Sequence, residues 1–364
     1  MTAAAAAAPS LRPARDGTPP ARPSPAKLMI VDDSAVARSV LARMLATFPD
    51  FEVVAAADSA EEAVRLLCDH KVDIVLLDLD MPGSSGLEVL PDIIAKGRGA
   101  RVLVVSSSTE SGSETAVRAM ALGAADTLGK PGAEQGAGGF SAVLAERLRR
   151  LLPSAAPEAI VEPAPVARPS TGKIGCLAIG ASTGGLHAIS HFLQALPPRI
   201  GAPILVTQHL PTAFLPLFAR QVEAACGRRV RVAQEGMLLR ADEILLAPGD
   251  AHLDLERHGS RVKVKLSQKP AESGCTPSVD VMLDGVARTY GKSGVGVVLS
   301  GMGRDGLTGG RRLAACGGRV LAQNRDSSAV WGMPGALVGA GVASRVDTPA
   351  ALAREIGAWS AARK

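Results

Sequence analysis

Short apolar runs alternate with amphipathic stretches in two series along this chain, with a proline-rich break between them. In the first series, apolar runs at 28–31, 53–57, 74–77 and 102–105 alternate with stretches of helical period near 34–47, 59–69, 86–96 and 113–122. A weaker strand at 125–128 and a helix at 140–152 complete five strand–helix units. Apolar runs this short fit strands buried on both faces, and their alternation with helices predicts a parallel sheet wound on both sides. The second series has candidate strands at 174–179, 204–207, 230–233, 244–246, 295–299 and 319–322. Two more runs, 252–255 and 262–266, flank Arg257-His258-Gly259-Ser260 and predict a β-hairpin inserted into the second wound sheet. The predicted fold class is α/β, with two doubly wound parallel-sheet domains.

The break itself, 153–172, holds five prolines in twenty residues with little to bury, which predicts a linker. Extended at about 3.1 Å per residue it spans on the order of 60 Å, so one domain could dock on the other or swing clear. Residues 1–26, rich in Ala, Pro and Arg without period, are expected to form a disordered tail. The expected division is a tail at 1–26, a first domain at 27–145, a helix end and linker at 146–172, and a second domain at 173–360.

Composition narrows the function classes. With 364 residues, 47% of them hydrophobic, the chain can bury two ordinary cores. Only 2% are aromatic, which leaves no stacking surface for single-stranded nucleic acid. Of the net charge of +5, much lies in residues 1–27, where Arg12, Arg15, Arg22 and Lys27 face only Asp16. The folded remainder is close to neutral, so no nucleic-acid partner is expected. The five cysteines (68, 176, 226, 275 and 316) form no C-x-x-C pair, and their spacing argues against a disulfide scaffold or a zinc site. The alanine run 3–8 has no basic segment before it, and no apolar stretch reaches the roughly 18 residues of a membrane span. A cytoplasmic protein without membrane insertion is expected.

Chemistry concentrates at the predicted strand ends, which converge on one crevice in an open parallel sheet. In the first domain, one strand ends in Asp32-Asp33 and another in Asp78-Leu79-Asp80-Met81-Pro82. Carboxylates gathered at one point repel unless a hard cation such as Mg²⁺ sits among them. Asp78 could then accept a phosphoryl group as a carboxylate nucleophile, with Ser106 and Lys130 placed to contact its oxygens. A single aspartate at 32 or 33 could instead cap the helix starting near Ser34, but the joint pattern exceeds what a cap needs. These residues resemble the response-regulator receiver domain, over about residues 27–145. The resemblance implies a flavodoxin-like strand order, Asp78 as phosphoacceptor, Asp32 and Asp33 with Asp78 as Mg²⁺ ligands, and Ser106 with Lys130 as the switch. Thr127 departs from the pattern, standing where many receivers carry an aromatic residue.

In the second domain, Ser182 lies in Gly180-Ala181-Ser182-Thr183-Gly184, a G-x-S-x-G turn from strand to helix. Such a turn either exposes a nucleophilic hydroxyl beside free helix N–H groups or simply cradles a phosphate. His209 follows a strand directly, and Asp305 follows another within Gly301-Met302-Gly303-Arg304-Asp305-Gly306. A nucleophile, a base and an orienting acid are therefore on offer, although Asp305 could equally be a helix cap. His187 and His191 lie four apart on one helix without the Glu of H-E-x-x-H, and fit surface or packing roles better than a metal.

The motifs around these residues, with Ala247-Pro248-Gly249-Asp250, Pro277-Ser278-Val279-Asp280-Val281 and Gly332-Met333-Pro334, are similar to the chemotaxis protein-glutamate methylesterase family over nearly all of 173–359. The resemblance implies a Rossmann-like domain with Ser182 as nucleophile, His209 as general base and Asp305 holding the imidazole. Backbone N–H groups near Thr183 and Met302 are the expected oxyanion donors. It implies a phosphorylation-activated hydrolase, needing no cofactor for ester cleavage, that demethylates glutamate methyl esters on a methyl-accepting chemoreceptor. Glutamine deamidation is its second reaction, a chemotaxis histidine kinase its phosphodonor, and a monomer its expected state. Cys275-Thr276 stands where relatives commonly place a basic residue before the Pro277 motif. The expected control is a receiver that covers the Ser182 crevice until it is phosphorylated. Two other classes stay open at this point: a non-enzymatic binding protein switched by phosphorylation, and an esterase of small metabolites.

Overall fold

The computed structural model describes residues 24–82, 85–107, 114–130, 137–152 and 173–361. The segments read as the tail and the linker lie almost wholly outside these residues. The first domain runs β1 (Ala26–Val31), α1 (Ala35–Leu45), β2 (Phe51–Ala57), α2 (Ala60–Asp69), β3 (Ile74–Leu77), α3 (Gly86–Lys96), β4 (Arg101–Ser106), α4 (Glu114–Ala121), β5 (Asp126–Gly129) and α5 (Ala137–Leu151). Its sheet is parallel in the order β2-β1-β3-β4-β5, the flavodoxin-like winding. Apolar side chains cover both sheet faces, Met29, Val31, Leu77 and Ile93 on one and Leu28, Ile30, Leu103 and Leu148 on the other. Two-sided burial is why these strands read as unbroken apolar runs. Serines start the helices: the Ser34, Ser59 and Ser85 side chains accept N–H bonds at the entries of α1, α2 and α3. Ser34, and not an aspartate, therefore caps α1.

The second domain runs β6 (Cys176–Ala181), α6 (Gly185–Ala195), β7 (Ile204–Gln208), α7 (Leu215–Cys226), β8 (Val230–Val232), β9 (Ile244–Leu246), β10 (His252–His258), β11 (Arg261–Ser267), α8 (Val279–Tyr290), β12 (Gly294–Val298), α9 (Leu307–Ala315), β13 (Arg319–Gln323), α10 (Met333–Gly339), β14 (Arg345–Asp347) and α11 (Pro349–Ala361). Seven strands form a parallel sheet in the order β14-β13-β12-β6-β7-β9-β8. The winding reverses between β6 and β12, and ligand crevices open at such a switch point beyond the strand carboxyl ends.

The hairpin β10–β11 is present but forms its own two-stranded antiparallel sheet outside the wound one. Its inner face, Leu253, Leu255, Val262 and Val264, packs with Met282, Leu283 and Val286 of α8. Alternating burial on a single face suits packing on a helix and not a sheet interior. β14 escaped the sequence pattern because its three residues, Arg345, Val346 and Asp347, contain no apolar run. Among the described residues no helix is long and apolar enough to cross a membrane.

The two domains are docked. Ala116, Val117 and Met120 of α4 join the apolar cluster of the second domain, while Ala329 and Val330 join that of the first. The Gly184 N–H donates to the Ala125 carbonyl at 3.2 Å, and Arg101 donates to the Ala329 carbonyl. His187 Nδ1 lies 3.1 Å from the Ala121 carbonyl.

Candidate active site

Ser182 is the first residue past β6 and His209 the first past β7, while Asp305 sits on the loop after β12. Ala181 pairs with Gln208 in parallel register, so Ser182 and His209 stand side by side at the next step of the ladder. The His209 N–H continues that ladder to the Ala181 carbonyl at 3.1 Å, and the Ser182 N–H bonds the Ser300 carbonyl at 2.9 Å. Two side chains hold the turn: Gln208 Nε2 donates to the Ser182 carbonyl at 2.8 Å, and the Ser300 hydroxyl donates to that of Thr183 at 2.8 Å. Gly184 has φ of +74°, and a Cβ there would lie 2.4 Å from the Ala329 side chain. Only glycine meets both demands.

His209 Nε2 faces Asp305 Oδ2 at 2.8 Å. An ionised carboxylate only accepts, so Nε2 carries the proton and Nδ1 is the acceptor of the neutral ring. Among the described residues no hydrogen bond joins the Ser182 hydroxyl to His209. The imidazole is thus held on its acid side, while Ser182 and His209 occupy neighbouring strand positions; nucleophile–base bonds commonly tighten only when substrate arrives. The Thr183 and Met302 N–H groups have no acceptor among the described residues, as donors waiting for an oxyanion would.

Asp305 does act as a cap, but of a different helix from the one it precedes. Its Oδ1 accepts from the Ser278 hydroxyl at 2.8 Å and the Asp280 N–H at 3.1 Å, and its Oδ2 from the Val279 N–H at 2.7 Å. These groups open α8, whose own N-cap residue Ser278 makes no side-chain cap. Asp280 returns the service: its Oδ1 accepts from the Gly306 and Gly309 N–H groups, at 3.0 and 2.8 Å, where α9 begins. Two helices are therefore capped crosswise, and the cap fixes the carboxylate that bonds His209.

The electrostatics follow from this packing. Burial pushes Asp305 up, but the His209 bond and the α8 N–H groups outweigh it and hold the carboxyl at about 2. Burial pulls the His209 imidazolium down, yet the bond to Asp305, helped by the neighbouring Cys275, lifts it to about 9. Burial and the nearby Asp305 charge raise Asp280 to about 6, against the pull of the Gly309 N–H. Beside the acid lies a cavity of about 280 Å³ lined by Glu272, Cys275, Asp280, Met302, Arg304 and Asp305, among others.

In the first domain, Asp32 and Asp78 are buried and Asp33 is exposed, and oxygens of all three lie within 4.8 Å of one another. Lys130 Nζ sits between two of them, 2.8 Å from Asp32 Oδ2 and 2.6 Å from Asp78 Oδ2. Burial pulls the Lys130 ammonium down, and the two aspartates overcome this and raise it. A cluster of hard carboxylate oxygens at a strand end fits Mg²⁺, which keeps much of its water and shares it with phosphate. The Ser106 hydroxyl points to Asp80 Oδ2 at 2.7 Å, and Ser107 reaches the same oxygen at 2.9 Å. Thr127 is half-buried on β5.

Comparison with known proteins finds relatives of both domains. The response regulator receiver domain model matches residues 28–136, and that of CheB methylesterase matches 177–356. "Protein-glutamate methylesterase/protein-glutamine glutaminase 2" of Caulobacter vibrioides is 39% identical over 329 residues, covering 88% of this chain and 94% of that one. The chain belongs to the CheB methylesterase family. A Salmonella typhi member, named protein-glutamate methylesterase/protein-glutamine glutaminase, is 37% identical over 329 residues, 88% of this chain and 93% of the other. The crystal structure of the Thermotoga maritima CheB methylesterase catalytic domain has a TM-score of 0.49 at 30% identity, covering 50% of this chain and 97% of that chain.

Within this CheB-family site, three contributors carried no role in the sequence reading. Ser278 and Asp280 belong to a motif that was visible, but their role as partners of Asp305 arises only when α8 and α9 pack together. Cys275 was visible only as a departure in the segment before Pro277. Of the two histidines set aside on α6, His187 serves the domain contact, with its ring centroid 4.0 Å from that of His191.

Proposed function

We propose that this protein hydrolyses glutamate methyl esters on a methyl-accepting chemoreceptor, releasing methanol, and deamidates receptor glutamines by the same route. The observation that carries the reading is the His209–Asp305 pair at 2.8 Å beside Ser182, at the switch point of a wound sheet. His209 Nδ1 takes the Ser182 proton as Oγ attacks the carbonyl carbon, and Asp305 stabilises the imidazolium that forms. The Thr183 and Met302 N–H groups receive the oxyanion, a contribution of about 3 kcal/mol per donor. The proton passes to the departing group, methoxide leaving as methanol or the amide nitrogen of glutamine leaving as ammonia, and His209 then activates a water that cleaves the acyl-serine to free glutamate.

Regulation is assigned to the receiver. A histidine kinase of a chemotaxis pathway donates a phosphoryl group to Asp78, and Asp32, Asp33 and Asp78 hold Mg²⁺, which when bound neutralises phosphoryl oxygens. Ser106 must leave Asp80, and Lys130 must follow the new charge, for those oxygens to be bonded. The α4–β5 face rests on the serine turn through the Ala125–Gly184 bond, so a shift of that face on phosphorylation would release the turn. The protein is assigned to the cytoplasm, as a monomer.

The test is methanol release from purified methylated receptor, with and without a small phosphodonor and Mg²⁺. Wild-type release should rise with the phosphodonor, and Ser182→Ala should reduce it to background. Undiminished release by Ser182→Ala would overturn the reading, and turnover of simple methyl esters without receptor would favour a metabolite esterase.

A further inference from the structure

Cys275 turns the acid side of the active site into something the hydrolytic reaction does not need. A nitrogen of His209, the sulfur of Cys275 and an oxygen of Asp305 all lie within 4.8 Å of one another. In a tetrahedral zinc site, bond lengths of about 2.0 to 2.3 Å place donor atoms roughly 3.3 to 3.6 Å apart. Side-chain rotations of a few tenths of an ångström to about an ångström therefore close this trio around one ion.

Two features of the surroundings favour a cation there. Asp305 is already fixed by the Ser278 hydroxyl and two α8 N–H groups, the kind of outer support that orients a ligating carboxylate. The adjoining cavity also carries Glu272 and Asp280, against a single Arg304. His209 and Cys275 are only partly buried, so an ion has a path in. A nitrogen, a sulfur and an oxygen ligand together select a thiophilic divalent ion over Mg²⁺ or Ca²⁺.

We propose that His209, Cys275 and Asp305 form a zinc-class metal site whose occupation reversibly shuts the hydrolase off. Binding releases the Cys275 thiol proton and the proton of the ligating imidazole nitrogen to solvent, so His209 can no longer shuttle the Ser182 proton. The fourth position is open to water. Inhibition rests on the catalytic assignment of His209 and Asp305 made above; metal binding does not.

The experiment uses the full chain under a non-thiol reductant, with excess Mg²⁺ to fill the receiver carboxylates. Co²⁺ is added first as a spectroscopic probe. A thiolate-to-cobalt charge-transfer band that is present in wild type and absent in Cys275→Ala and Cys275→Ser supports the site. No band, or a band of equal strength in both variants, overturns it. Zn²⁺ is then titrated against methanol release, each protein being referred to its own metal-free rate. Outer-shell partners alone change metal affinity about 10- to 100-fold, so loss of the sulfur ligand should raise the half-inhibitory Zn²⁺ concentration at least about 100-fold. Chelation should restore wild-type activity. Equal zinc sensitivity in wild type and both variants overturns the inhibitory role. Absence of ester hydrolysis before metal is added, with the Co²⁺ band intact, would instead count against the proposed function and leave the metal site standing.

Discussion

The receiver and the hydrolase domain each bury carboxylates at the ends of parallel strands, and they compensate them in opposite ways. In the receiver, Asp32 and Asp78 share one cation, Lys130, whose side chain is 27% exposed and carries a flexible ammonium. In the hydrolase domain, Asp305 is held by three groups of the α8 entry and by His209. A point charge on a long stem can move when a phosphoryl group arrives, whereas helix N–H groups cannot. One carboxylate keeps a mobile partner and the other is immobilised, which is what the proposed phosphoacceptor and orienting roles require.

The same chemical change in each pocket breaks this comparison most sharply. Asp305→Asn is expected to lower hydrolysis by about four orders of magnitude with or without phosphodonor, because the amide cannot hold the same imidazole state. Asp78→Asn should abolish the increase produced by the phosphodonor. Methanol release from both variants checks the pair, and a phosphodonor response in Asp78→Asn would remove that residue from its role.

The next largest effect is on pH. With its pKa raised to about 9, His209 is mostly imidazolium at neutral pH and cannot accept the serine proton. The base form grows as pH rises, so kcat/KM should climb about tenfold per unit below that value and level off above it. Cys275→Ala removes one contributor to the elevation and should move this limb to lower pH. A Ser182→Ala blank corrects for spontaneous hydrolysis, and a profile already flat at pH 7 would contradict the geometry of the pair.

Smaller effects test the crosswise caps and the domain contact. Asp280→Ala strands the Gly306 and Gly309 N–H groups and should cost about 1 to 2 kcal/mol in urea unfolding. Asp280→Asn keeps an acceptor oxygen and loses the repulsion with Asp305, so it should cost less. Arg101→Ala removes the bond to the Ala329 carbonyl and should weaken docking by about 1 kcal/mol, raising unphosphorylated activity roughly fivefold.

Much of the site could be read along the chain. Ser182 and His209 follow apolar runs that became β6 and β7, and burial on both faces makes such runs conspicuous in a linear pattern. Asp305 could be found as a strand-end acid, but its reach to α8 could not. Strand periodicity says nothing about which helix entry a neighbouring loop will meet. The hairpin illustrates the same limit, since its alternation announced two strands while the surface of α8 decided where they packed.

The sequence by itself determined the two wound domains, their strand ends and the residue types placed there, because hydrophobic period and glycine punctuation are local properties. Only the tertiary structure decided the partners: Asp280 capping α9 while Asp305 caps α8, Cys275 beside His209, and Ala125 bonded to Gly184 across the domain contact. Those pairings depend on strand order and helix packing, which bring residues far apart in the chain within hydrogen-bonding distance.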